Sequence, residues 1–235
     1  MSKLFYQPAL TREELNCISI GDWNGLAGKF PIFRDPNPRS ERACIDRLEM
    51  IVSNLGIPII GLSVLDLGCS NGFFVNTLAH LGALPCLGVD NSVHNITLAF
   101  TDQDVIVEAQ RAAEDYGVKN RVSFIDEDFI RGLGLDKYDK YDAVIFFSVF
   151  HHLFEGYGSK NINVLGNELA LDVLHRIDSI TKKYLFFEMC EQTVVGWNRE
   201  TIPSLLLRNT TFKQCKQIGV SEDGWNPRAV FMLTR

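Results

Sequence analysis

Between Ser63 and Gly72 the chain reads Ser-Val-Leu-Asp-Leu-Gly-Cys-Ser-Asn-Gly, and this stretch limits the fold most tightly. A short apolar run from Ser63 to Leu67 stops at Gly68, and Phe73 to Leu81 then reads as a helix closed by Gly82. Strand, tight turn, helix is the result. Two glycines four residues apart let the backbone pass close beneath a ligand and turn sharply into the helix.

The same alternation continues along the chain. Leu84 to Val89 is a second apolar run ending at Asp90, followed by a long polar-apolar segment that closes at Gly117. Val122 to Ile125, Ala143 to Phe147 and Tyr184 to Phe187 supply three further strands. Ile162, Leu165, Leu169, Val173, Ile177 and Ile180 recur at helical spacing as one core-facing stripe. After a short helix around Pro203 to Leu207, Phe212 to Ile218 and Ala229 to Leu233 flank the turn-rich segment 221–227 and read as an antiparallel hairpin. Alternating strands and helices require a parallel sheet with right-handed crossovers. The expected fold is therefore α/β, a doubly wound Rossmann-like sheet with an antiparallel C-terminal hairpin at its edge. With 46% apolar and 22% charged residues in 235, a sizeable core can be buried.

Residues 1–40 mix Pro8, Pro31, Pro36 and Pro38 with Gly21, Gly25 and Gly28, which suggests an arm or lid before a helix that begins near Ser40. Two regions follow: residues 1–58 as an N-terminal extension with its helix, and 59–235 as the main domain. No run of about 18 apolar residues offers a membrane span, and the first eight residues lack the apolar core of a signal peptide. The expected location is cytoplasmic. Six scattered cysteines form no C-x-x-C pair and read as small apolar residues.

Ligands of open α/β sheets bind beyond the carboxyl ends of the strands, so the residues there are the candidates. A dinucleotide fingerprint requires G-x-G-x-x-G, but here Asn71 and Val75 stand where further glycines are needed. Asp66 at the strand end repels a pyrophosphate and attracts a cationic amino acid moiety. Asp90 can accept both hydroxyls of a ribose, and Asp126-Glu127-Asp128-Phe129 offers a carboxylate and an aromatic edge for an adenine.

Val64 to Gly72, Gly88-Val89-Asp90, Asp128 and Asp142 to Ile145 together resemble the class I S-adenosylmethionine-dependent methyltransferases, over roughly residues 60–235. The resemblance implies a seven-stranded sheet, S-adenosyl-L-methionine as cofactor and S-adenosyl-L-homocysteine as product. Asp66 with Gly68, Cys69, Ser70, Asn71 and Gly72 would hold the methionine part, Asp90 and Asn91 the ribose, and Asp128 with Phe129 the adenine. The loop after the fourth strand would face the methyl group, with Ser148 on the cofactor and His151 or His152 as catalytic residues. An unperturbed histidine, with its pKa near 6.5, is half-ready to accept a proton at physiological pH.

No Asn-Pro-Pro-Tyr or Asp-Pro-Pro-Tyr follows the fourth strand, and no cysteine occupies its loop, which disfavours exocyclic-amine and C5 methylation of nucleic acid bases. The insertion Phe154 to Asn161 is a candidate wall of the substrate pocket, and Trp23, Trp197 and Trp225 are candidates for an acceptor site. A net charge of −6 favours a small-molecule acceptor, methylated on oxygen or nitrogen. Two alternatives stay open. One is RNA, such as tRNA, bound through Lys29, Arg34, Arg39, Arg42 and Arg47, although Asp35, Glu41 and Asp46 are interleaved with them. The other is a non-catalytic module that binds the cofactor. No metal is expected.

Overall fold

The computed structural model describes residues 10–23, 44–91, 104–129, 138–151, 153, 167–189, 198–221 and 227–235. Its centre is a seven-stranded sheet of β1 (Val64–Leu67), β2 (Cys86–Asp90), β3 (Val122–Asp126), β4 (Tyr141–Phe147), β5 (Thr181–Glu188), β6 (Gln214–Ser221) and β7 (Arg228–Thr234), in the order β3-β2-β1-β4-β5-β7-β6. The first five strands are mutually parallel and β7 runs antiparallel to both its neighbours. The sheet and its reversed C-terminal strands are those expected from the sequence. One detail is added: of the hairpin's two strands only β6 lies at an edge, because β7 inserts between β5 and β6. The residues explain it. Ala229, Val230, Phe231 and Leu233 of β7 are buried, whereas β6 leaves Gln214, Lys216 and Gln217 in water, as an outermost strand can.

Successive residues of each central strand enter two different cores, the period of two that a doubly covered sheet demands. Val64, Ala143, Ile145, Phe147 and Phe186 join α1 (Arg12–Ser19), α2 (Cys44–Asn54), α3 (Phe73–His80) and α4 (Val105–Asp115) on one face. Leu65, Leu67, Val144, Phe146, Leu185 and Phe187 join α5 (Asn167–Ile180) and α6 (Ile202–Arg208) on the other. Phe146, fully buried between Phe129, Phe150 and Phe187, packs edge-on or tilted against all three; such a ring contributes roughly 1.5–3 kcal/mol by burial.

Local chemistry starts the helices where the site needs them. Thr11 and Glu14 form a reciprocal capping box on α1, and Asp104 accepts from the Ile106 and Val107 amides to cap α4. The described parts of the N-terminal extension lie on the same core as the sheet: Leu15, Ile18, Leu48 and Ile51 pack in one cluster with Val75 and Leu78. Trp23 leans on that cluster too, partly buried. Lys29, Arg34, Arg39, Arg42, His152, the 154–161 insertion, Trp197 and Trp225 lie outside the described residues.

Candidate functional site

The order of strands reverses between β1 and β4, and the crevice opens where their carboxyl ends diverge. From β1 the chain enters Gly68 at φ +85°, where a Cβ would come within 2.4 Å of the Val149 side chain. Gly72, at φ +76°, caps α3 in the left-handed region and abuts Ala109 and Phe124 so closely that any Cβ would clash. The Gly68 and Cys69 amides both donate to the Val89 carbonyl, tying the loop to β2. Ser70 and Asn71 complete it, Ser70 also at positive φ and Asn71 buried.

Asp90 holds this cradle together. One carboxylate oxygen accepts the Ser70 amide at 2.6 Å and the other accepts the Asn91 amide at 2.7 Å. Asp66 lies deeper, 2% exposed, and its Oδ2 has no hydrogen-bond partner. Burial, and next the charge of Asp90, push its carboxyl up to about 8, against a smaller opposing pull from Arg47. Burial likewise raises the Cys69 thiol well above its ordinary range. A buried acid with an orphaned oxygen, above a backbone bared by two glycines, fits a cationic amino acid group; beside it, a fixed carboxylate fits a diol.

Past β3, Asp126 is exposed and Asp128 half-buried, while the Phe129 ring turns into the core, 3% exposed, against Phe146. The Glu127 amide donates to the Asp90 carbonyl, so this segment is tied to the end of β2.

Beyond β4 the geometry departs from expectation. Ser148 takes φ +59°, and its hydroxyl donates to Glu188 Oε2 at 2.9 Å and accepts from Arg228 at 2.6 Å. Glu188, at the end of β5 and fully buried, also receives Arg47 at 3.1 Å and Arg228 at 3.3 Å. Arg47 is therefore not part of a surface phosphate footprint. Its guanidinium is buried because α2 packs on the sheet and points it at a carboxylate 141 residues away. Both Glu188 oxygens accept from guanidinium groups, and the described residues form no cluster of metal-binding side chains.

His151 does not titrate near neutrality. Burial, with Arg228 nearby, brings its pKa down to about 3, so the imidazole is neutral and a poor proton acceptor. Arg228 did not stand out in the sequence, whereas Glu188 ends an apolar strand, the signal that also marked Asp90.

A seven-stranded sheet in this order, with a glycine-bent loop after β1 and an acid after β2, defines the class I S-adenosylmethionine-dependent methyltransferase fold. Residues 60–158 match the family model of a methyltransferase domain. An O-antigen chain terminator bifunctional methyltransferase/kinase of Escherichia coli is 32% identical over 165 residues, covering 63% of this chain and 21% of that protein. A mitochondrial ubiquinone biosynthesis O-methyltransferase of Dictyostelium discoideum is 26% identical over 137 residues, covering 56% of this chain and 41% of that one. The chain thus spans about a fifth and two fifths of these relatives. Magnesium protoporphyrin IX methyltransferase from Synechocystis, solved with S-adenosylmethionine bound, superposes with a TM-score of 0.59 at 19% identity, covering 97% of this chain and 99% of its own. The Escherichia coli kinase-methyltransferase superposes with 0.59 at 23% identity, covering 90% and 46%.

Proposed function

We propose that this chain methylates an oxygen or nitrogen of a small-molecule acceptor, using S-adenosyl-L-methionine and releasing S-adenosyl-L-homocysteine. The observation that carries the reading is the pair of acids at successive strand ends: Asp66 buried with an orphaned oxygen, Asp90 clamped by the Ser70 and Asn91 amides. Asp66 and the Gly68–Gly72 loop, with Cys69, Ser70 and Asn71, hold the methionine part, Asp90 and Asn91 the ribose, and Asp128 with the Phe129 backbone the adenine. When bound, the cofactor supplies an electrophilic methyl group on a sulfonium.

The chain's own residues align the acceptor and exclude water. The left-handed turn at Ser148 leads into the buried segment 149–151, and Val149 closes against Gly68. His151 presents a neutral imidazole, suited to orienting an acceptor by hydrogen bonding. Residues 59–235 are the catalytic domain in this reading, and 1–58 an extension whose described helices brace it. The names of a magnesium protoporphyrin IX methyltransferase and a ubiquinone biosynthesis O-methyltransferase among the similar proteins support a small-molecule acceptor over a nucleic acid.

Calorimetric titration of S-adenosylmethionine, S-adenosylhomocysteine and NAD into the chain and its Asp90→Ala variant tests the reading. Binding of both S-adenosyl ligands, absence of NAD binding and loss of affinity by at least tenfold in the variant are expected, as removal of two charge-assisted ribose contacts implies. Absence of S-adenosyl binding to the unmodified chain overturns it.

A further inference from the structure

Among the described residues, two that are not glycine take a left-handed backbone, Ser70 at φ +49° and Ser148 at φ +59°. They stand on the two loops that flank the crevice, one after β1 and the other after β4. Residues with a Cβ avoid this conformation, so their surroundings must impose it. At Ser70 the neighbouring strand end does so, through the bond from the Ser70 amide to Asp90. Ser148 has a counterpart in Glu188, which ends β5 directly beside it.

The hold on Ser148 is the more complete of the two. Its amide donates to the Glu188 carbonyl at 3.3 Å, and its hydroxyl donates to Glu188 Oε2 at 2.9 Å while accepting from Arg228 at 2.6 Å and from Arg47 at 3.4 Å. Those three contacts engage the hydroxyl's one proton and both its lone pairs. Glu188 is wholly buried, Arg228 opens β7, and Arg47 reaches in from α2 of the N-terminal extension. The residue after the turn shows what the turn is for. Val149 is 3% exposed and packs so tightly on Gly68 that a Cβ there would strike its Cγ2. Gly68 opens the loop that carries Ser70 and Asn71, so the direction of the chain at residue 148 decides whether Val149 closes on that loop or leaves it.

Resting on the methyltransferase reading above, we propose that Glu188 and Arg228 are positioning residues of the cofactor cradle: they lock Ser148 in its left-handed turn, Ser148 seats Val149 on Gly68, and Arg47 extends the same constraint to the N-terminal extension. Ser148 serves the site through its backbone, with no contact between its hydroxyl and the cofactor. Helix α2 is then a working part of the site, linked to the cradle loop through Arg47, Ser148 and Val149.

The test uses the whole chain carrying Ser148→Ala or Ser148→Gly. Alanine loses the hydroxyl and still resists the turn, whereas glycine loses the hydroxyl and adopts the turn freely. In Ser148→Ala only part of the population is competent to bind, and calorimetry is expected to show S-adenosylhomocysteine binding weakened at least about fivefold. Ser148→Gly is expected to stay within about twofold of the unmodified chain. NMR supplies a readout that needs no ligand: cross-relaxation between a Val149 methyl group and the Gly68 α-protons should appear in the unmodified chain and in Ser148→Gly and vanish in Ser148→Ala. Arg47→Gln, made on the extension, should weaken the same binding by about threefold, the size of one net hydrogen bond, and diminish the same signal. Arg111→Gln, on an exposed helix face, leaves both readouts unchanged. Should Ser148→Ala fail to fold, Ser148→Cys, with a weak thiol donor in place of the hydroxyl, is read in the same way.

Equal loss of affinity in the alanine and glycine variants would make the hydroxyl a cofactor contact and overturns the proposal. Unchanged affinity in both, with only the melting temperature lowered, reduces the bonds to a structural role and overturns it as well. So does a Val149–Gly68 signal that persists in Ser148→Ala, and unchanged readouts in Arg47→Gln overturn the part given to the extension. Failure of S-adenosylhomocysteine to bind the unmodified chain overturns the methyltransferase reading and this proposal with it, and is told apart because no substitution is involved.

Discussion

Asp66 shows how much of the site rests on one buried proton. Its carboxyl is raised to about 8 in the fold, against 3.8 in an unstructured chain. A raised acid stabilises the fold fully below the unfolded value, and that contribution is lost as pH rises through the folded one. Asp66→Asn should therefore match the parent below pH 4 and be the more stable protein above pH 8, by at least about 2 kcal/mol, as urea unfolding across that range would measure. Ligand affinity should move the other way. Because the cationic methionine group favours ionised Asp66, S-adenosylmethionine binding should strengthen between pH 6 and pH 9 in the parent and stay flat in Asp66→Asn; a flat parent profile would separate Asp66 from the cofactor. Asp66 and Asp90 were legible in the sequence because each acid abruptly ends an apolar run. The burial of Arg47 was not: Asp46 and Glu41 beside it give the pattern of a wet surface, and its partner Glu188 comes near only through tertiary packing. The weak basicity of His151 was hidden for the same reason, since burial and Arg228 set it rather than its neighbours in the chain.

The loop between β1 and α3 is the element where backbone conformation and site coincide. Gly72→Ala must place a Cβ about where Ala109 and Phe124 already sit, at a φ that L-residues avoid; a loss of roughly 1–3 kcal/mol in unfolding free energy is expected. The same change should weaken S-adenosylhomocysteine binding, because Ser70 and Asn71 shift with it. Asp104→Ala removes the cap of α4, to which Asn76 of α3 is tied through the Ala109 carbonyl. It should lower stability by about 1 kcal/mol while cofactor affinity holds, an outcome that thermal melts with and without ligand would distinguish from the glycine variant. At this scale the strands and helices were readable, since periodicity of two and of 3.6 is local information. The position of β7 inside the sheet was not, because a hairpin can attach by either strand and only the burial of Ala229 to Leu233 decides which.

For the molecule as a whole, the Arg47–Glu188–Arg228 assembly joins three elements distant in sequence, and removing its centre should be felt globally. Glu188→Gln removes the buried carboxylate charge that both guanidinium groups share and should cost about 3–5 kcal/mol in denaturant unfolding. Breaking the exposed Lys119–Glu114 pair should change far less, because water screens both partners. The strand order has a kinetic consequence as well. β1 pairs with β4, and their shared clasp from Ser63 to Asp142 spans 79 residues. Parallel pairing at such separation closes a long loop before any contact rewards it, and chains built this way fold slowly. The crevice between β1 and β4 cannot exist until that pairing is made, whereas the β6–β7 hairpin can zip locally. In refolding from urea, recovery of ligand binding should therefore lag behind recovery of secondary structure, so that a newly made chain gains its shape in part before it gains any chemistry.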